Sequence, residues 1–423
     1  MSNFKYQNQE LACDQIPLRE LAETFGTPTF VYSGAAIETA YQRLTTAFQG
    51  LNTLICYAVK ANANLSVLKR LRELGAGFDI VSGGELARVL RAGADPRKIV
   101  FSGVGKQDHE IEAALEAGIH CFNIESDAEL DRIASIATTT GHIAPISLRV
   151  NPDVDPETHP YISTGLNTAK FGVPMAEAEA FYRKAASLTG IEILGIDCHI
   201  GSQITSITPY LAAIDKMFAL IDRLMLSGIS IKHFDLGGGM GVRYENEPEF
   251  PLGALRAALE QRLNDRNLQL VIEPGRYLVA NAGVLLTKVI HTKANHEKKF
   301  AVVDAAMNDL LRPALYGAVQ EVLAVQEPME TGAHTIDVVG PICETGDFLA
   351  KDCSLDLKAD DLIAICSAGA YGMSMSSNYN TRGRAAEVLV EGGQARLVRT
   401  RESVETQLAL EIEHLDKPST TEH

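Results

Sequence analysis

Lys60 closes an apolar run, TLICYAV (53–59), and small polar residues follow it at once in YAVKAN. A lysine so placed has two readings. Either the strand ends there and the ammonium reaches solvent, or the amine points into a pocket and acts as a nucleophile. The ends of the neighbouring apolar runs bear on the choice. In chain order they carry Asp79 with Ser82, then Ser102, Glu125 and Asn151, then HIGSQ (199–203), LGGGMG (236–241) and EPGR (273–276). Almost every end holds a group able to bind or react, while the run interiors are apolar. One such residue would mean little; the set makes a site.

The elements that must position these groups follow a rhythm. A helix is expected over Leu18–Phe25 and a strand over Thr29–Tyr32. Strand-like runs then fall at 53–59, 78–81, 98–102, 120–124, 146–150, 193–199, 231–236 and 268–273, with helical patterns such as LSVLKRLREL (65–74) and GGELARVLRAG (83–93) between them. About eight strands alternating with helices is the period of a closed parallel (β/α)8 TIM barrel, although doubly wound sheets share the alternation. From Gly283 short β-rich runs dominate, among them VLLTKVIHT, HTIDVVG and AEVLVEGGQARLVRT, as in an antiparallel β domain. The expected division is a barrel over 30–282 and a β domain built from 1–29 plus 283–423. The C-terminal LDKPSTTEH is expected to fray.

Composition narrows the function classes. With 46% apolar and 22% charged residues the chain has the profile of an ordinary soluble, enzyme-sized protein. A net charge of −16 argues against nucleic acid or an anionic membrane as partner, and no apolar run reaches transmembrane length. Seven cysteines (13, 56, 121, 198, 343, 353 and 366) make an odd count without a CxxC pair, which points to a reducing cytoplasm. Cys56, Cys121 and Cys198 lie inside apolar runs and read as small buried hydrophobes. No metal-ligand spacing is visible, and no metal is expected.

Simple motifs fail. GGGMG lacks the third glycine of a dinucleotide fingerprint, and GVGKQD (103–108) lacks both the first glycine and the hydroxyl residue of a P-loop. What Gly237, Gly238 and Gly239 offer is a run of unobstructed backbone N–H groups. With a helix start such a run makes an anion cradle, to which Gly275 and Arg276 can add. A phosphate anchored there, near a lysine at a strand end, suggests pyridoxal phosphate, whose aldehyde forms a Schiff base with lysine. Glu273 then favours the protonated pyridine ring, and His199 can stack on the ring face.

The second half of the site lies beyond the barrel, in RPALYGA (312–318), GPICETGD (340–347) and SAGAYGMSMSSNYN (367–380). Cys343 there is either an ordinary loop thiol or a proton donor held at the cofactor. YAVKAN, FDIVSGGEL, HIGSQI, DLGGGMG, EPGR, RPALYGA, GPICETGD and AGAYGMSMSSNYN, in this order, closely resemble the diaminopimelate decarboxylases, a branch of the barrel-fold pyridoxal phosphate decarboxylases related to alanine racemase. The likeness runs from about residue 18 to about residue 390. Thr345 departs from it, because serine is commoner after the Cys-Glu pair; the hydroxyl is kept.

The resemblance implies a barrel with a C-terminal β domain that the N-terminal strand completes. It implies decarboxylation of meso-2,6-diaminopimelate to L-lysine, the last step of lysine biosynthesis, with Lys60 as the Schiff-base lysine. Asp79, His199, Ser202, Gly237, Gly238, Gly239, Glu273, Gly275, Arg276 and Tyr371 would surround the cofactor. Arg276, Arg312, Tyr316, Glu344 and Tyr371 would contact the amino-acid substrate. Cys343 would protonate the carbanion, reaching the site with Glu344 from the partner subunit of a homodimer. Charge agrees with that substrate: Arg276 and Arg312 suit a second carboxylate and Glu344 a second ammonium, whereas two arginines would repel a lone ammonium.

Overall fold

The computed structural model describes residues 3–155, 170–296, 298–328 and 334–415. The fraying expected of LDKPSTTEH falls on residues 416–423, outside the described ones. The chain divides into two compact units, residues 37–279 and residues 1–36 with 280–423.

The first unit is a closed barrel. Its strands are β1 (Thr53–Ala58), β2 (Gly77–Ile80), β3 (Ile99–Phe101), β4 (Cys121–Ile124), β5 (Ala144–Asn151), β6 (Ile191–Asp197), β7 (His233–Asp235) and β8 (Gln269–Ile272). All eight expected runs are strands, with ends shifted by no more than two residues. Each strand pairs in parallel with its neighbours in sequence, and β8 returns to β1 through Leu270↔Thr53, Val271↔Leu54 and Ile272↔Ile55. Closure, with helices outside, buries both faces of the sheet. That is why the runs read as nearly continuous Val, Ile, Leu and Phe.

Short connections place polar residues at the strand ends. Asn64 caps the helix Leu65–Glu73 by accepting the Ser66 N–H at 2.9 Å, so only a single 3-10 turn, Val59–Ala61, separates it from β1. Lys60 sits on that turn. Ser82 caps Gly83–Arg91 and Ser126 caps Asp127–Thr140 in the same way. Each cap ends the loop and starts the outer helix, which holds the intervening side chains at the barrel mouth.

The second unit carries a large sheet in the order 348–355, 334–339, 298–303, 283–295, 29–33, 386–391 and 394–399, with 362–365 added on 283–295 and 322–324 paired in turn with 362–365. It is mixed rather than purely antiparallel. Two pairings are parallel, Thr29–Ser33 with Ala386–Glu391 and Lys298–Val303 with His334–Val339. The first joins strands from opposite ends of the chain, so no hairpin constrains their direction. Thr29–Ser33 lies in the middle of the sheet, and Phe4, Leu11, Leu18, Leu21, Val31, Val284 and Val388 share one core. An N-terminal meander (Phe4–Gln7, Glu10–Cys13, Ile16–Pro17) and a C-terminal helix (Val404–Leu415) were not expected from sequence.

Candidate active site

At the end of β1 the Lys60 amine donates to Asp79 Oδ2 at 3.1 Å; Lys60 keeps 40% of its side chain exposed while the Asp79 side chain is fully buried. The amine is therefore reachable, and its partner is fixed by burial. The EPGR loop packs directly on this turn. Ala58 N–H donates to the Pro274 carbonyl at 3.2 Å, and a Cβ added at Gly275 would meet Ala61 Cβ at 3.1 Å. A glycine at 275 is what lets the ends of β8 and β1 approach so closely.

Glu273, next along from β8, is buried, and its carboxyl accepts from Asn123 Nδ2 at 3.4 Å and from Ser102 Oγ at 3.5 Å. Carboxylate oxygens of Asp197, Asp235 and Glu273 all lie within 4.8 Å of one another. Burial, then the neighbouring acids Asp235, Asp79 and Asp197, push the Glu273 carboxyl well above the usual range, with Lys60 opposing. Burial likewise raises Asp197 and takes Asp235 up to about 6. Three acids this close cannot all be ionised, so the cluster retains protons near neutral pH. Arg149 is the buried cation beside it, 3.2 Å from Glu125 and 4.0 Å from Asp197.

The glycine run differs from the expectation of three open N–H groups at a helix start. Gly237 N–H donates to Asp235 Oδ1 at 2.9 Å and Gly238 N–H to His199 Nδ1 at 3.1 Å, and no helix begins before Leu252. The turn is instead a close crossing. Gly237 and Gly239 have φ of 70° and 96°, and a Cβ at Gly238 would fall 2.2 Å from the Glu273 carbonyl. Because His199 Nδ1 accepts, its ring proton sits on Nε2. Burial, then Arg149 and Lys60, hold the imidazole's pKa well below its ordinary value, so the ring is neutral.

Arg276, also buried, donates to Tyr244 Oη at 2.5 Å and to Ser202 Oγ at 3.1 Å. Lys60, Asp79, His199, Ser202, the glycine turn, Glu273, Gly275 and Arg276 thus all belong to the barrel unit. Sequence reasoning missed Asn123, Arg149, Asp197 and Asp235. The signal was the period of two: Asp197 and Asp235 stand two residues after Gly195 and His233, on the same strand face.

The second unit holds the remaining candidates. Arg312, buried at the start of the helix Arg312–Tyr316, donates to Gln320 Oε1 at 3.5 Å. Tyr316 and Tyr371 are half-buried, and Tyr371 has a φ of 56°. Cys343 and Glu344 are exposed on a loop braced from behind: Asp347 accepts from Ile342 N–H at 2.8 Å and from Met307 N–H at 2.7 Å, and Cys343 N–H donates to Asn380 Oδ1 at 3.0 Å.

The barrel mouth fits pyridoxal phosphate by its chemistry. It combines an accessible amine, a proton-holding carboxyl, a neutral imidazole and an arginine, and Asp79 Oδ1 is buried without a hydrogen-bond partner among the described residues.

Comparison with known proteins gives the same answer. Residues 34–280 match the family described as pyridoxal-dependent decarboxylase, pyridoxal binding domain. Diaminopimelate decarboxylase of Pseudomonas aeruginosa is 57% identical over 405 residues, covering 96% of this chain and 97% of that one. The Vibrio cholerae diaminopimelate decarboxylase is 52% identical, with 97% and 99% covered. The crystal structure of diaminopimelate decarboxylase from Helicobacter pylori complexed with L-lysine superposes with a TM-score of 0.90 at 43% identity, covering 94% of this chain and 99% of that one. A chain this similar over its whole length, with the barrel, the strand-end lysine and the buried acids in place, belongs to the pyridoxal-dependent decarboxylases and, within them, to the diaminopimelate decarboxylase family.

Proposed function

We propose that this enzyme removes carbon dioxide from meso-2,6-diaminopimelate to give L-lysine, the last step of lysine biosynthesis, in the cytoplasm and as a homodimer with shared sites. The observation that carries this reading is the Lys60 amine held 3.1 Å from buried Asp79, at the same barrel mouth as buried Glu273. Pyridoxal phosphate, when bound, supplies an electron sink for the charge that develops on the substrate's α-carbon.

The chain's own residues do the rest. Lys60 would provide the amine that holds the cofactor at the barrel mouth. With the cofactor bound, Glu273 would favour a proton at its ring nitrogen, and neutral His199 would lie against its ring without adding charge. Gly239, Ser202, Arg276 and Tyr371 hold the phosphate and its surroundings, with Gly237, Gly238 and Gly275 shaping the turns. Arg312 and Arg276 receive the distal carboxylate of the substrate, Glu344 the distal ammonium, and Tyr316 lines the same end.

Cys343 delivers a proton to the α-carbon once carbon dioxide has left. Its exposure within one chain, like that of Glu344, suits groups that complete a second subunit's site. Leu315, Val319 and Tyr379 are exposed on the same unit and offer apolar surface for that subunit to cover.

The deciding experiment is the purified protein's spectrum followed by a product assay. An absorbance near 420 nm, about where such Schiff bases absorb, and lysine release from diaminopimelate but not carbon dioxide from ornithine or arginine are expected. A colourless protein after loading with pyridoxal phosphate, or equal turnover of ornithine, would refute the assignment.

A further inference from the structure

The closed floor of the barrel, at the opposite end of the strands from Lys60, holds a second cluster that the decarboxylase chemistry does not use. His120 precedes β4, Cys121 opens it, and His233 opens β7. One ligand atom from each, drawn from the two imidazoles and the thiol, lies within 4.8 Å of the others. The rings of His120 and His233 have centroids 5.3 Å apart. Cys121 belongs to an apolar cluster with Cys56, Val100 and Val271.

An imidazole in such a place costs free energy unless its nitrogens are satisfied. His233 is only 2% exposed, yet its Nε2 has no hydrogen-bond partner among the described residues; the same holds for His120 Nε2. Space is provided as well. A Cβ at Gly195 would fall 2.0 Å from His233 Nε2, so the glycine makes room for the ring.

We propose that His120, Cys121 and His233 form a zinc-class metal site tying β4 to β7 across the barrel floor. Two imidazole nitrogens and one thiolate are a ligand set that Zn2+ accepts, with bonds of about 2.0 Å to nitrogen and about 2.3 Å to sulfur. Such bonds need the three ligand atoms to lie about 3.3–3.8 Å apart, inside the 4.8 Å bound on their present separations. Binding is a ligand exchange without redox. Cys121 loses its thiol proton to solvent as the sulfur–zinc bond forms, and both histidines bind as neutral donors. Sequence hides the site because His120–Cys121 and His233 are far apart in the chain and match no ligand spacing.

The test uses the cofactor-loaded enzyme, incubated with one equivalent of Zn2+, freed of excess by gel filtration and analysed for metal content and by zinc K-edge absorption. Retained zinc with one sulfur and two imidazole ligands is expected, and Cys343→Ser should leave both unchanged. His233→Ala and Cys121→Ser should weaken retention at least about tenfold. His120→Ala, at a half-buried position that leaves the core filled, should also weaken it while the circular dichroism spectrum stays native. Zinc that washes off the wild-type enzyme would overturn the proposal. So would zinc that the folded His120→Ala and Cys121→Ser variants hold as tightly, with the same sulfur signal.

Discussion

The barrel mouth and the GPICETGD loop are built on opposite plans. At the mouth every candidate is braced by another of its own unit: Lys60 by Asp79, Glu273 by Asn123 and Ser102, His199 by Gly238, and Arg276 by Ser202 and Tyr244. On the loop the backbone is fixed from behind by Asp347 and Asn380, while Cys343 and Glu344 stand exposed. A cofactor that stays through every turnover needs a prefabricated, partly desolvated cradle. A group that meets substrate once per cycle needs only to be presented rigidly. Damage to the first region should therefore remove colour and activity together, and damage to the second should remove activity alone.

Lys60→Ala is the largest break. It should abolish the absorbance near 420 nm, about where these Schiff bases absorb, and cut turnover by at least about a thousandfold. Normal turnover in this variant would remove Lys60 from the mechanism. Cys343→Ala should leave the absorbance in place and lower kcat by about a hundredfold or more with little change in KM. An effect confined to KM would mean that Cys343 binds substrate rather than supplying a proton.

Mixing the two inactive variants sharpens the comparison. With sites shared between subunits, half of the randomly mixed dimers carry one intact site, so about a quarter of wild-type activity should return. If each site were complete in one chain, mixing would restore nothing.

Legibility in the sequence divides along the same line. The strands were readable because burial on both faces forces unbroken apolar runs, and Lys60, Asp79, His199 and Glu273 because each interrupts or ends such a run. Asp197 and Asp235 escaped notice although they sit with Glu273, since an acid within a strand looks like a solvated face until closure turns that face inward. The glycine run was read for what its N–H groups can bind. Its close packing on the Cys198, Gly201 and Glu273 carbonyls depends on chain segments far apart in sequence. The mixed pairing of the second sheet was equally hidden, because Thr29–Ser33 meets Ala386–Glu391 from the other end of the chain.

Arg312→Ala probes the second unit more gently. Buried Arg312 is positioned by Gln320, whose amide in turn donates to the Cys366 carbonyl at 2.7 Å. Losing a guanidinium that pairs with the distal carboxylate should cost diaminopimelate about ten- to a hundredfold in kcat/KM. Inhibition by the product lysine, which keeps the distal carboxylate and lacks only the one released as carbon dioxide, should weaken to a similar degree, whereas inhibition by an alkyl diamine, which has no carboxylate, should weaken less. Equal losses for diaminopimelate and the diamine would place Arg312 outside the distal clamp.

The smallest effect separates the two regions by pH. His199 is held neutral in the folded barrel, its pKa well below the ordinary value through burial, then Arg149 and Lys60. In the unfolded chain the same imidazole takes a proton at about pH 6.5. Unfolding therefore gains a proton at this site below that pH, and the contribution of His199 to stability, present above pH 6.5, is lost as pH falls. The slope is bounded at about 1.4 kcal/mol per pH unit for one proton. Glu273, raised by the same burial, acts with the opposite sign over the range from the ordinary carboxylate value up to its raised one, so the measurement must be a difference. Denaturant unfolding of cofactor-free wild type and His199→Gln at pH 7.5 and pH 5.5, about one unit either side of the free imidazole value, provides it. The variant should lose less stability on acidification than wild type, whereas Cys343→Ala, altered only on the exposed loop, should follow wild type at both pH values. Parallel losses in His199→Gln and wild type would mean that the ring already takes up its proton in the folded barrel.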